Sequence, residues 1–180
     1  QIMISLKEKY EKILPQLATA LGEKNRYALP RLVKVVINAG LGKLREKKQL
    51  ALVVDRLSKI TGQKPSPRGA KKSIASFKVR EGETIGQMVT LRGKRMYGFL
   101  DKLINVAVPR MRDFRGFDEK SVDASGNLTI SIREHTIFPE TADEDLKDVF
   151  GFAITIVTTA KNRDQALVFF RAIGFPFKKA

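Results

Sequence analysis

The chain contains no cysteine, no tryptophan and one histidine in 180 residues. Without cysteine there is no disulfide framework, no thiolate metal site and no thiol nucleophile. One histidine, His135, excludes any site built on two His ligands from this chain alone. No run approaches the roughly 18 apolar residues that span a bilayer. The N-terminal QIMISLKEKYEKIL mixes charges into its apolar positions and has no signal-peptide core, so the default compartment is cytosolic. Acidic residues are also few, 19 against 34 Lys+Arg, which leaves a net charge of +15. The 43% hydrophobic share supports a core, and the length fits one domain, residues 1–180. A positive excess of this size favours a polyanionic partner, nucleic acid before an acidic membrane.

The excess is local. Residues 31–115 hold 21 basic and 6 acidic residues, and the rest of the chain is balanced. From Arg56 through Arg80 eight bases occur with no acid among them. Apolar residues interrupt this block, which favours an interaction surface over a repelling tail. The opposite bias follows later, where Glu140, Asp143, Glu144, Asp145 and Asp148 surround Lys147. Three readings stand there: carboxylates against a helix dipole, a dock for a basic protein, or a metal cluster. The last lacks the spaced ligands and central glycine of a calcium loop.

Helical spacing runs through Ile2, Leu6, Tyr10, Ile13, Leu14, Leu17 and Leu21, stopped by Gly22, with Pro15 expected to kink or split the helix. Leu50, Val53, Val54, Leu57 and Ile60 make a second helix closed by Gly62. Met96, Phe99, Leu100, Leu103 and Ile104 make a third that ends before Pro109. Asn162 with Gln165 resembles a capping box ahead of Ala166, Leu167, Phe169, Phe170 and Ile173. These helices carry their apolar faces at core spacing, and the bases are not gathered on a helix face, which argues against a membrane-surface role.

Strand patterns lie at 31–38, 85–92, 128–133 and 152–159, with shorter ones near 63–66 and 75–79. The 152–159 run is apolar on both faces and reads as central. A period of two gives one face of Val, Ile and Leu for the helices. The other face carries Lys34, Asn38, Thr90, Arg92, Thr129, Ser131 and Arg133. That face is either an ordinary solvated side of an antiparallel sheet or an RNA platform for phosphates and 2′-hydroxyls. It has no aromatic pair for base stacking, so recognition would rest on backbone shape. The charge distribution favours the platform.

Residues 63–84 read as a long basic excursion. Pro65, Pro67 and Gly69 oppose helix, Lys71, Lys72, Lys78 and Arg80 follow, and Gly82 and Gly86 serve the return turn. A second basic cluster places Arg110, Arg112 and Arg115 beside Phe114 and Phe117. Either the aromatics anchor the loop and the arginines are merely solvated, or the arginines meet RNA. Asn38 to Gly42 lacks a P-loop ending and reads as a turn close to RNA. His135 with Glu134, or the 140–148 carboxylates holding magnesium, would be the candidates for an RNA-processing enzyme. A lone His at a strand end is more often a surface or capping residue. Nothing in the pattern calls for a cofactor or a small-molecule substrate.

Seven stretches, VVINAGLG (35–42), ITGQKP (60–65), AKKSIASFKVREG (70–82), IGQMVTLRGKRMYGFLDKLINVAVPRMRDFRG (85–116), IFPE (137–140), TIVTTA (155–160) and GFPFKK (174–179), occur in the order of one family. Over nearly its full length the chain resembles the bacterial large-subunit ribosomal protein "L-five" family, which binds 5S rRNA in the central protuberance. The resemblance implies a non-enzymatic α+β protein, with helices on one face of an antiparallel sheet and the other face open to 5S rRNA. It places Lys34, Asn38, Gln63, Lys64, Thr90 and Arg92 in the matching rRNA-binding segments, and Thr129 and Ser131 share the platform. It makes 67–84, with Arg68, Lys71, Lys72, Lys78 and Arg80, a protruding loop that reaches P-site tRNA. It sets Arg110, Arg112 and Arg115 toward large-subunit rRNA or the subunit interface. It brings Asp143, Glu144 and Asp145 near a basic protein of the small-subunit head. Pro67-Arg68-Gly69, Val122 to Asn127 and Phe150-Gly151-Phe152-Ala153 depart from the family pattern.

Overall fold

A computed structural model describes residues 5–42, 47–141 and 149–178. Their order is α1 (Leu6–Leu21), β1 (Leu32–Gly40), α2 (Lys47–Thr61), β2 (Ser66–Gly69), β3 (Thr84–Leu91), α3 (Gly93–Lys102), β4 (Leu128–Ile132), β5 (Phe152–Thr158) and α4 (Arg163–Ile173), with short 3-10 and π turns between them. The strands form one open sheet in the order β2-β3-β1-β5-β4. Neighbours run antiparallel. Leu41 N–H donates to the Ile85 carbonyl where β1 ends and β3 starts, and Thr159 N–H donates to Arg31 where β5 ends and β1 starts. β2 pairs antiparallel with β3. The fold is α+β, as expected.

Alternation sorts the side chains as the sequence pattern requires. Val35, Ile37, Val89, Leu91, Leu128, Ile130, Ile132, Ile154 and Ile156 are all at most 3% exposed. Full burial of such a side chain contributes about 1.5–3 kcal/mol. β5 has a neighbour on each side, with β1 at the centre of the order. The second row of β5, Ala153, Thr155 and Val157, is half-buried.

The chain divides into two compact units. The first comprises Gln1–Val35, Leu91–Ile130 and Thr155–Ala180. There α1 packs on α3 and α4. Ser5 caps α1 by accepting from Glu8 N–H, and Gly22 ends it at φ 65°. Pro15 does not split α1. It sits on the exposed side, where water can reach the carbonyl that loses its N–H partner. The third helix extends past its expected end, through a π turn at Leu103–Ala107 and a 3-10 turn at Val108–Arg110 with Pro109 near its start. Asn162 accepts from Gln165 N–H at 2.8 Å, and Gln165 Oε1 accepts from Lys161 N–H at 2.8 Å, so the capping pair forms at α4.

The second unit comprises Val36–Thr90 and Ser131–Ile154. Val53, Leu57 and Ile60 of α2 are buried. His135 is 3% exposed, which corrects its expected surface or capping position. Its ring stacks on Phe150 at 4.5 Å and 14°. Phe150 N–H donates to His135 Nδ1 at 3.4 Å, while His135 N–H donates to the Phe150 carbonyl at 3.1 Å. Phe150 and Phe152, two of the departures from the family pattern, are thus the aromatic neighbours of a buried imidazole and of Phe138. Burial first, and the Arg56 charge second, hold the His135 pKa below its ordinary value.

Two expected outcomes follow from this packing. Gly116 has φ 104°, and a Cβ there would lie 2.6 Å from Lys178 N and Phe177 C, whereas Gly98 in α3 has open space around it. Gly116→Ala should cost about 2–4 kcal/mol, and Gly98→Ala should add roughly 0.5–1 kcal/mol. Urea unfolding midpoints of the two variants check both signs. For His135, the unfolded chain takes up the proton first as pH falls. The stability it contributes is complete above about pH 6.5 and is lost progressively below it. Between pH 7.5 and 5.5 the urea midpoint should fall further for the unmodified chain than for His135→Gln, and equal falls would contradict the assignment.

Candidate nucleic-acid interface

β2 explains much of the site in the second unit. Its residues Ser66, Pro67 and Arg68 stand opposite Met88, Gln87 and Gly86 of β3, with an irregularity between Arg68 and Gly69. The expected loop over 67–84 is corrected on this point, because its first residues are paired strand and β3 begins at Thr84. Pro67 is compatible with the ladder because an edge strand pairs on one side only. Arg68 therefore belongs to the sheet and not to the tip of an excursion. Gly86 lies inside β3 and not in a return turn. A Cβ at Gly86 would come within 3.1 Å of the Ala39 carbonyl, 3.8 Å from Arg68 Cβ and 3.9 Å from Asn38 Oδ1. Gly86 is itself buried, so the missing side chain lets the Ala39 carbonyl, Arg68 and Asn38 close over it, which brings a guanidinium-bearing residue and an amide together. Asn38 and Gly40 are themselves strand residues, so the turn expected at 38–42 starts only after β1.

Gln63 reaches the same strand. Its Nε2 donates to the Thr90 carbonyl at 3.4 Å. Thr61 Oγ1 accepts from Gln63 N–H, and its one hydrogen has the Leu57 carbonyl at 2.7 Å and the Gln63 carbonyl at 2.9 Å within reach, which fixes the exit from α2. Lys64 is exposed beside it, Thr90 is half-buried and Ser131 is exposed. The strand expected near 63–66 is thus displaced to 66–69.

From Ala70 to Glu83 the backbone bonds to itself. Ala70 N–H donates to Glu83, Gly82 N–H to Ala70, and Ile74 and Val79 exchange bonds at 3.0 and 3.2 Å. That single bridge, around a 3-10 turn at Ala75–Phe77, replaces the strand expected at 75–79. Glu81 N–H donates to Ser73 Oγ at 2.9 Å. Lys71, Lys72, Lys78 and Arg80 are exposed, as are Ile74 and Phe77.

In the first unit Lys34 is half-exposed and Arg92 is exposed in extended backbone just ahead of α3. Thr129 Oγ1 and Thr155 Oγ1 lie 3.2 Å apart across β4 and β5. Arg110, Arg112 and Arg115 are exposed on a loop held by rings. Phe114 meets Phe117 edge-on at 5.0 Å, and Phe117 continues to Phe175 and Phe170. Phe117 N–H donates to Pro176 at 2.8 Å, and Lys178 N–H donates to Phe117 at 2.9 Å. The aromatics therefore anchor the loop, and the arginines are left outside it.

Asp143, Glu144 and Asp145 lie outside the described residues. The Arg68, Gly86 and Asn38 grouping was missed by sequence reasoning, although a glycine inside a strand pattern signals a close approach. The arrangement offers cations, hydroxyls and an amide. His135, the one imidazole, is packed inside against Phe150.

The comparisons with known proteins agree in family. The family model described as "Ribosomal protein L5" matches residues 25–80, and the model of the C-terminus of the same ribosomal protein family matches residues 84–177. Proteins named "Large ribosomal subunit protein uL5" are similar along nearly the whole chain. That of Synechococcus sp. (strain RCC307) is 48% identical over 97% of this chain and 99% of its own length. That of Halothermothrix orenii is 48% identical over 98% and 100%, and that of Syntrophotalea carbinolica 51% over 97% and 96%. The chain belongs to the ribosomal protein L5 (uL5) family, and it is a structural, non-enzymatic, rRNA-binding component of the large ribosomal subunit.

Proposed function

We propose that the exposed side of the strands binds 5S rRNA and helps to anchor it in the central protuberance. The observation that carries this reading is the meeting of exposed Arg68 and Asn38 over the buried Gly86. A guanidinium and an amide held close together can both bond to one phosphate or ribose. Lys64, Gln63, Thr90 and Ser131 extend the contact in the same unit, and in the first unit, taken by itself, Lys34, Arg92 and Thr129 have the same role. Short hydroxyls and an amide suit 2′-hydroxyls and phosphates, and the described strands carry no ring on this side. Recognition rests on the shape of the RNA backbone.

In the same proposal, Lys71, Lys72, Lys78 and Arg80 of the 70–83 segment reach P-site tRNA. Arg110, Arg112 and Arg115 meet large-subunit rRNA or the subunit interface. Asp143, Glu144 and Asp145 approach a basic protein of the small-subunit head. Each role follows from the family resemblance together with charge of the fitting sign.

Arg68 and Asn38 separate the charge from the hydrogen bond. Binding to purified 5S rRNA should weaken steeply with salt. Arg68→Ala should reduce the slope of log affinity against log salt by about one. Asn38→Ala should weaken binding by roughly tenfold with the slope unchanged. Lys71→Ala with Lys72→Ala should leave 5S affinity within about twofold at matched salt, apart from a general loss of attraction. Filter binding across a salt series reads all of these. Equal affinity of the unmodified chain for an unrelated RNA duplex would refute shape recognition.

A further inference from the structure

Tyr27 is 91% exposed, far more than Ile74, Phe77 or Ile85. It sits on a 3-10 turn, Arg26–Ala28, whose backbone is fixed. Asn25 Oδ1 accepts from Tyr27 N–H at 2.9 Å, and Ala28 N–H donates to the Asn25 carbonyl at 3.0 Å. Leu29 and Pro30, which follow, are buried and hold the turn to its unit. The ring is thus set outward by a rigid turn and not by a loose end.

A single exposed ring is ordinary by itself, so its surroundings decide. Lys24, Arg26 and Arg31 are exposed around the turn. Burial first raises the Tyr10 pKa, and the charges of Arg26 and Arg31 oppose that shift, which puts both guanidinium groups near the same phenol. Glu23, the acid nearest in sequence, is met by Lys161 at 3.5 Å. A protein hot spot would ring the tyrosine with apolar side chains, and the turn provides Lys24, Asn25 and Arg26 instead. Flat aromatic surface among cations fits an unpaired nucleotide.

We propose that Tyr27 stacks on an unpaired base of ribosomal RNA while Arg26 and Arg31 take the adjoining phosphates. The contact lies outside the strands and adds a base-reading element to an interface that otherwise reads backbone shape. It rests on the reading that this chain binds rRNA.

The chain has no tryptophan, so Tyr27→Trp supplies a unique fluorophore in the full-length protein. Purified 5S rRNA and purified large-subunit 23S rRNA are tested separately. With one of them Tyr27→Ala should bind about 5- to 150-fold more weakly, Tyr27→Phe should stay within about twofold, and the Tyr27→Trp emission should be quenched. The RNA that gives this pattern is the source of the base. Unchanged affinity for Tyr27→Ala and unquenched emission with both RNAs would overturn the proposal and assign the ring to a protein neighbour. If Asn38→Ala still weakened 5S binding in that case, the sheet-face reading would survive alone. Failure of the unmodified chain to bind either RNA would overturn both.

Discussion

Successive side chains of a strand leave on opposite sides, and in β1, β3, β4 and β5 the chemistry divides along that line. Nine Val, Leu and Ile side chains are dehydrated on one side, while Lys34, Asn38, Thr90, Thr129 and Ser131 are left on the other. A register slip of one residue would expose the first set and bury the second. Dehydrating a lysine or an amide without partners adds several kcal/mol to the lost apolar burial. The apolar row therefore fixes the register, and the register fixes which cations, hydroxyls and amides face outward. RNA binding on this account uses a surface whose order folding has already established.

The segments that carry the remaining charges are held by different devices. In the first unit a file of phenylalanines and two backbone bonds tie the 110–117 loop to the end of the chain, and Gly116 permits a contact too close for any side chain. In the second unit the Thr61 hydroxyl and the Gln63 amide hold the exit of α2. The 70–83 segment is bonded to itself at its base and near its turn. Such pre-ordering lowers the conformational entropy lost on association. It also suits recognition of an RNA shape, since a surface that rearranged freely would discriminate shapes poorly.

Several features were legible because local chemistry and tertiary packing agree. The Asn162 and Gln165 cap, the stops at Gly22 and Gly62, and the two faces of β1, β3 and β4 all follow from spacing alone. Other features turn on tertiary context. Pro67 speaks against a strand until its place at the sheet edge is known, and that hid β2 and put Arg68 in a loop. Gly86 reads as a turn residue by composition, yet its φ is not left-handed and its importance is the closeness of the Ala39 carbonyl. His135 looks like a surface residue until Phe150 stacks on it. Tyr27 carries no periodic signal, because an exposed ring on a short turn belongs to no pattern. Family resemblance identified the protein more fully than periodicity did, and the structure then showed which side chains share a face.

The central claim is that RNA lies against the uncovered side of the strands. The absence of cysteine allows a hydroxyl-radical source to be tethered at one chosen position. Thr129→Cys and Ser131→Cys put it on the exposed strand side, and Ala172→Cys puts it on the exposed side of α4. With 5S rRNA bound, the account predicts strong, localised backbone cleavage from the first two positions and little from the third. Cleavage from Ala172→Cys with none from Thr129→Cys or Ser131→Cys would contradict it.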